Sequence, residues 1–221
     1  MSPPRCRIVV FASGRGSNFA ALIQAQRRGE LPVDIVALLS DKPAAPALEL
    51  ARAAGIEAVA LRPRDYASRE DFDRAIFDRA AQFRPDLIVL AGYMRIITPT
   101  VVAPWVGRMI NIHPSLLPKY PGLHTHARAI EAGDTEHGSS VHFVTVELDG
   151  GPVIAQAVLP ILAGDTAESL AARLLLLEHR LLVAAVRRVA TGEVTLLGNH
   201  VACDGRPITA PLRLNADGGL G

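Results

Sequence analysis

The segment Asn111-Ile112-His113-Pro114-Ser115-Leu116-Leu117-Pro118 sets a neutral amide and an imidazole two positions apart. Met109 and Ile110 precede it, so the stretch reads as the end of a buried strand. Alternation along a strand sends Asn111 and His113 to one face and Ile112 to the other. Pro114 and Pro118 stop the regular structure and stiffen the exit. An amide N–H beside a titratable ring suits one chemistry well: holding a carbonyl oxygen as it gains negative charge, with a proton donor alongside. The plain alternative is a pair of polar residues capping a strand. The doublet on one face, locked between prolines, favours a site, and the carboxyl ends of strands in open parallel sheets are where ligands sit.

A second candidate is Ser13-Gly14-Arg15-Gly16-Ser17-Asn18, between an apolar strand at 7–12 and a helix over 19–28. A glycine-rich turn feeding a helix start gathers backbone N–H groups at the positive end of a dipole. The dinucleotide fingerprint needs a third glycine where Phe19 stands, and the P-loop lysine is absent. The turn is therefore sized for one phosphate, held by N–H groups and the Ser17 and Asn18 side chains; the competing reading is an ordinary turn with Ser17 as helix cap. Asp41, after a strand at 34–40, lies where a ribose-binding acid would sit and keeps a dinucleotide reading alive. Gly92-Tyr93-Met94-Arg95-Ile96-Ile97 follows a strand at 86–91. Its glycine admits a ligand to the backbone, and its apolar side chains suit a flat aromatic pocket or simple core packing. Asp149, ahead of Gly150 and Gly151, is by pattern a turn residue, and equally a carboxylate carried on a loop. His124, His126, His137 and His142 show no metal-ligand spacing, so no metal is expected.

The elements that position these groups alternate strand and helix. Further helices are expected at 46–54, from Ser68 as cap to 83, from Thr98-Pro99, and over 125–132, with a short strand at 57–61. Strands at 138–145 and 153–159 form an antiparallel pair. The longest helix starts at a capping box of Asp165 and Glu168 and runs to 190; Glu178 interrupts its leucine run and faces either solvent or a site. A hairpin at 193–197 and 200–203 follows, then a glycine-rich tail expected to be disordered from Asn215. The pattern is α/β: an open, mostly parallel twisted sheet with helices on both faces and an antiparallel C-terminal part. Residues 1–203 read as one domain and 204–221 as a tail.

The chain has 221 residues, 49% of them hydrophobic, with a net charge of +1. It can bury a large core, and its charge argues against a broad nucleic-acid surface. Cys6 and Cys203 are far apart in sequence, which suits a reducing cytoplasm. The apolar run near Leu174 is broken by Glu178, His179 and Arg180, so no membrane span is expected.

These motifs carry a resemblance. Ser13-Gly14-x-Gly16-Ser17-Asn18, Leu90-Ala91-Gly92-x-Met94-Arg95-Ile96, the block 111–126, His137-Gly138-x-Ser140-Val141-His142-Phe143-Val144 and Leu148-Asp149-Gly150-Gly151-Pro152-Val153-Ile154 together resemble the phosphoribosylglycinamide formyltransferases, folate-dependent enzymes of purine synthesis. The resemblance reaches to about Cys203 and implies a Rossmann-like formyltransferase fold. It implies formyl transfer from the co-substrate 10-formyltetrahydrofolate to the amine of glycinamide ribonucleotide, without a metal, in a monomer or homodimer. It implies catalytic Asn111, His113 and Asp149, ribonucleotide contacts at Gly16, Ser17, Asn18 and Glu178, and folate contacts at Arg69, Met94, Arg95, Ile96, Ile97 and Asn111. The N-terminal half would bind the ribonucleotide phosphate; the C-terminal half would carry the folate and the catalytic loop. Asp149 would then sit near His113 and favour its charged form. The alternatives are a 10-formyltetrahydrofolate hydrolase, a methionyl-tRNA formyltransferase, which needs a further RNA-binding domain, and a non-catalytic nucleotide-binding module.

Overall fold

The run CRIVVF buries four consecutive side chains, Ile8 to Phe11, which a strand covered on both faces permits. In the computed structural model, which describes residues 5–221, that run is β1 (Cys6–Phe11). After it come α1 (Ser17–Arg27), β2 (Val33–Ser40), α2 (Pro46–Ala53), β3 (Glu57–Ala60), α3 (Arg69–Ala81), β4 (Leu87–Leu90), α4 (Pro99–Val102) and β5 (Met109–His113). The chain continues through α5 (Thr125–Glu131), β6 (Glu136–Phe143), β7 (Val153–Pro160), α6 (Ala167–Ala190), β8 (Val194–Leu197), β9 (His200–Cys203), β10 (Arg206–Pro207) and β11 (Leu212–Arg213).

Residue contacts group the chain into two compact units, the first ending at Asn111 and the second beginning at Ile112. In the first, the strand order is β3-β2-β1-β4-β5, and every pairing is parallel. Parallel strands present their carboxyl ends along one edge, so Ser13, Asp41, Gly92 and Asn111 all follow or close strands on that edge. In the second, the order β6-β7-β11 combines an antiparallel β6–β7 pair with a parallel β7–β11 pair, and β8, β9 and β10 form a small antiparallel sheet. This is the mostly parallel sheet with an antiparallel C-terminal part that the pattern implies.

Three local features differ from expectation. Helix α1 begins at Ser17, and its cap is Gly16 at φ 76°, with no side-chain cap bond. A Cβ on Gly16 would lie 2.7 Å from the Ala47 Cβ, so the left-handed turn and the close approach both require glycine. Helix α6 is capped one residue later than expected: Thr166 Oγ1 accepts from the Ser169 N–H at 3.2 Å, and Ser169 Oγ accepts from the Thr166 N–H at 3.0 Å. Asp165 instead accepts from the Leu162 N–H (2.8 Å) and the Ser169 hydroxyl (2.8 Å). The stretch from Asn215, expected to lack order, is held in place. On α6, the Arg180 guanidinium donates to the carbonyls of Asn215 and Ala216, and that of Arg188 to the Leu220 carbonyl. Leu220 is buried and pairs with Leu214. Composition alone cannot register carbonyls caught by a distant helix.

The Ser68 cap of α3 is as expected, its Oγ accepting from the Asp71 N–H at 3.1 Å. Helix α6 buries Leu170, Leu174, Leu181, Leu182, Ala185 and Val186 along one face, with Glu178 and His179 half-buried and Arg180 exposed. Among the described residues no helix is long and apolar enough to cross a membrane.

Candidate active site

His113 closes β5 and is 5% exposed. The chain after it is tied down by hydroxyl groups. Ser139 Oγ donates to the His113 carbonyl at 2.8 Å, Ser140 Oγ to the Ser115 carbonyl at 2.7 Å and Thr125 Oγ1 to the Pro114 carbonyl at 2.6 Å. The Leu117–Pro118 bond is cis. This fixed exit returns the Tyr120 carbonyl to 2.9 Å from His113 Nε2, so Nε2 carries a hydrogen and donates.

The other ring nitrogen faces a carboxylate. Asp149 Oδ2 lies 3.4 Å from His113 Nδ1, and Asp149 Oδ1 lies 3.7 Å from His142 Nε2. The Gly122 N–H donates to Asp149 Oδ2 at 2.9 Å. Asp149 reaches this position from a left-handed backbone, φ 50°, at the tip of the β6–β7 connection. Gly151 makes the connection tight: a Cβ there would meet the Phe143 carbonyl oxygen at 1.8 Å. The register shift between Val141 and His142 falls where β6 supplies the second imidazole. That ring's Nδ1 lies 3.0 Å from the Phe143 carbonyl.

The electrostatics follow from this packing. Burial pushes the His113 pKa down, while the Tyr120 carbonyl and the Asp149 carboxylate pull it up; the net position is below the ordinary histidine value. The expectation that Asp149 favours the charged ring therefore holds for that contact alone, and burial outweighs it. For Asp149, burial raises the pKa, but His142, the Gly122 N–H and His113 outweigh it and hold the carboxyl below its usual range. At neutral pH the site is an ionised carboxylate between two imidazoles, one of them kept mostly neutral yet already supplied with a counter-charge. Such a ring can take a proton transiently.

Asn111 stands two residues before His113 on the same strand, half-buried. In the first unit, Gly14 and Arg15 are exposed at the turn, and Ser17 and Asn18 open α1. Phe19, at the would-be third glycine, is fully buried. Asp41 is buried and accepts a 2.6 Å bond from Ser13 Oγ, which removes it as a free ribose acid. The same Ser13 Oγ accepts from the Met94 N–H at 2.9 Å, so one hydroxyl ties the turn to the 94–97 loop. In that loop Met94 and Ile96 are 63% and 54% exposed, while Ile97 is buried. Arg95 stacks over Phe72 at 4.8 Å. Arg69 begins α3 with its Nε 3.8 Å from the buried Asp73, which also accepts from the Thr98 N–H at 2.8 Å. The Thr98 hydroxyl bonds to Asp73 rather than capping α4. Glu178 lies half-buried on α6.

Sequence reasoning missed Ser13, His142 and the Tyr120 carbonyl as parts of the site. His142 had a signal, since it alternates with Ser140 on β6; the Tyr120 carbonyl had none, because main chain carries no letter. His126 Nδ1 and His137 Nε2 are 3.0 Å apart, and no group of three or more His, Cys, Asp or Glu among the described residues is arranged to hold a metal ion.

A formyl transferase family model matches residues 6–186. The chain belongs to the formyl transferase family. Among curated members, this formyl transferase chain is 47% identical over 199 residues to the phosphoribosylglycinamide formyltransferase of Escherichia coli strain K12, covering 90% of this chain and 94% of that one. The solved phosphoribosylglycinamide formyltransferase of Coxiella burnetii superposes with a TM-score of 0.89 at 42% identity, covering 98% of each chain. The trifunctional purine biosynthetic protein adenosine-3 of Homo sapiens is 40% identical over 199 residues, 90% of this chain but 20% of that protein. The blocks that carry the sequence resemblance, from Ser13 to Ile154, all fall inside the matched formyl transferase region.

Proposed function

We propose that this chain transfers the formyl group of 10-formyltetrahydrofolate to the primary amine of glycinamide ribonucleotide, giving formylglycinamide ribonucleotide and tetrahydrofolate in purine synthesis. The observation that carries the chemistry is the Asp149 carboxylate lying between His113 and His142, with Asn111 two residues ahead on the same strand.

The reading is as follows. The amine attacks the formyl carbon and forms a tetrahedral centre with an oxyanion. Asn111 and His113 donate to that oxygen, His113 Nε2 exchanging its Tyr120 carbonyl partner for the substrate. One proton leaves the attacking nitrogen and one reaches the departing folate nitrogen. Once Nε2 has left the Tyr120 carbonyl, the neutral ring keeps its hydrogen on Nδ1 against Asp149; Nε2 takes the proton from the amine, the imidazolium so formed donates to the oxyanion and then gives that proton to the folate nitrogen, and the carbon–nitrogen bond to folate breaks. Removing a comparable oxyanion donor costs about 2.7–4 kcal/mol of barrier. Gly16, Ser17 and Asn18 hold the ribonucleotide phosphate with backbone N–H groups and the Ser17 and Asn18 side chains, Glu178 contacts the ribonucleotide, and Arg69, Arg95, Asn111 and the apolar Met94, Ile96 and Ile97 hold the folate. The exposed Met94 and Ile96 support that last assignment, since they offer apolar surface to a flat ring. The roles belong to a single formyltransferase domain over 1–203. The free thiols Cys6 and Cys203 suit a reducing cytoplasm. We read the enzyme as a monomer or homodimer acting on small molecules without nucleic acid or metal.

The test is the folate absorbance change on mixing enzyme with 10-formyltetrahydrofolate, with and without glycinamide ribonucleotide. Turnover that requires the ribonucleotide supports transfer. Turnover at the same rate without it would make the chain a hydrolase.

A further inference from the structure

Helix α3 carries a fully buried acid. Asp73 is 0% exposed, one turn after Arg69 and next to Phe72. Its Oδ2 accepts from the Thr98 N–H at 2.8 Å and from the Thr98 hydroxyl. The Arg69 Nε stands 3.8 Å from the same oxygen, as residues four apart on a helix can. The other oxygen, Oδ1, is buried with no hydrogen-bond partner among the described residues. The carboxylate also acts on the loop through its charge: burial first, then Asp41 and Asp73, push the pKa of the Tyr93 hydroxyl up. A buried charge with one oxygen unmatched costs stability, so fastening a helix to a loop does not by itself call for an aspartate.

What Asp73 holds is the far end of the 92–98 loop. The near end is held by Ser13, whose Oγ accepts from the Met94 N–H and whose own N–H donates to the Gly92 carbonyl, each at 2.9 Å. Between these anchors Met94 and Ile96 stand mostly exposed, and Arg95 lies over the Phe72 ring of α3. Apolar side chains in water are driven to fold back onto the protein. A loop that presents them to a ligand has to be restrained at both ends. Asp73 supplies the second restraint, and its charge draws the Arg69 guanidinium to the same end of α3.

We propose that Asp73 is a positioning residue for the folate co-substrate: by holding Thr98 and Arg69 it keeps the 94–97 loop and the Arg69 side chain in the arrangement that receives the ligand. The identity of that ligand rests on the proposed function. A residue that served the fold alone would, when replaced, lower stability and weaken both substrates alike or neither.

The experiment is calorimetric titration of tetrahydrofolate and of glycinamide ribonucleotide, each alone, into wild type, Asp73→Ala and Asp73→Asn. Alanine removes the acceptor; asparagine keeps an oxygen for the Thr98 N–H and loses the charge. Asp73→Ala should bind tetrahydrofolate about tenfold more weakly and the ribonucleotide within about twofold of wild type, and Asp73→Asn should recover folate affinity to within about threefold. In steady-state kinetics Asp73→Ala should raise KM for 10-formyltetrahydrofolate about tenfold with kcat within about threefold. Unchanged folate affinity in Asp73→Ala, equal weakening of both ligands, or an asparagine variant no better than alanine overturns the proposal. If Asp73→Ala does not fold, Asp73→Asn and Thr98→Val, which removes only the hydroxyl, carry the test: each should lose about threefold in folate affinity and nothing for the ribonucleotide, and wild-type folate affinity in both overturns it. Binding is read without turnover. Folate affinity equal in wild type and Asp73→Ala ends this proposal and leaves formyl transfer standing. Turnover that ignores the ribonucleotide ends formyl transfer and leaves a folate shift in Asp73→Ala as support for positioning. A wild type that binds no folate overturns both.

Discussion

Asp149→Asn isolates the carboxylate charge. The amide keeps the size of the side chain and an oxygen for the Gly122 N–H, which donates at 2.9 Å. What disappears is the negative charge 3.4 Å from His113 Nδ1, in a pair whose side chains are 7% and 9% exposed. An opposite charge at this range supports the protonated ring by about 1–3 pKa units, or about 1.4–4 kcal/mol. If the imidazolium forms on the way to the transition state, losing that support lowers kcat by about 10- to 1,000-fold, near 100-fold at the middle of the range. The pH profile adds a sign. His113 must be neutral to take the proton, so activity falls as pH drops through its pKa. Burial has already set that pKa below the ordinary value, and removing Asp149 lowers it again. The acid limb should therefore move to lower pH while the plateau falls. Rates from pH 5 to 9, with an NMR titration of His113, read both effects. A variant whose plateau stays within about threefold of wild type and whose limb does not move would refute the coupling of Asp149 to His113.

Asn111→Ala should lower kcat by about 10²–10³, the loss of one oxyanion donor, weaken folate binding by about one hydrogen bond and leave the ribonucleotide Kd alone; a normal kcat would remove the amide from the chemistry. Ser17→Ala should weaken ribonucleotide binding by about 2- to 10-fold, one hydrogen bond, and leave folate affinity alone. Calorimetry with each ligand separately checks this, and weakened folate binding would show the phosphate assignment to be wrong. His137, pushed by burial and by His126 down to about 4, makes stability depend on pH. The unfolded chain takes its proton near pH 6.5. The neutral ring's contribution is thus present above that pH and lost as pH falls towards 4, by about 1–3 kcal/mol. Urea unfolding at pH 7 and 4.5 should show a smaller loss for His137→Gln than for wild type; equal losses would assign the acid sensitivity to other groups.

Much of this was written in local sequence. The β1 and β4 runs, the Ser68 cap and the Asn111-x-His113 doublet each depend on neighbours in the chain, and each lies where the pattern implies. Asp149 was ambiguous for a physical reason. A turn aspartate and a site aspartate look alike until the hairpin register and the Gly151 contact decide where the carboxylate points. Asp41 shows the reverse: the right residue after the right strand, made unavailable by a Ser13 hydroxyl from another loop. The α6 cap slipped by one because Asp165, Thr166 and Ser169 compete for the same N–H groups, and only geometry ranks them.

The short β11 has a practical meaning for handling the protein. Strand β7 spans Val153–Pro160, and β11 meets it through Leu212 and Arg213 opposite Ala155 and Gln156, with Pro160 leaving one position without an N–H. Cutting the chain before Leu212, or pulling its end away with a fused partner, would bare a row of amides able to recruit a strand from another molecule. Stickiness and precipitation, more than lost turnover, would be the first symptom of a badly chosen C-terminal boundary.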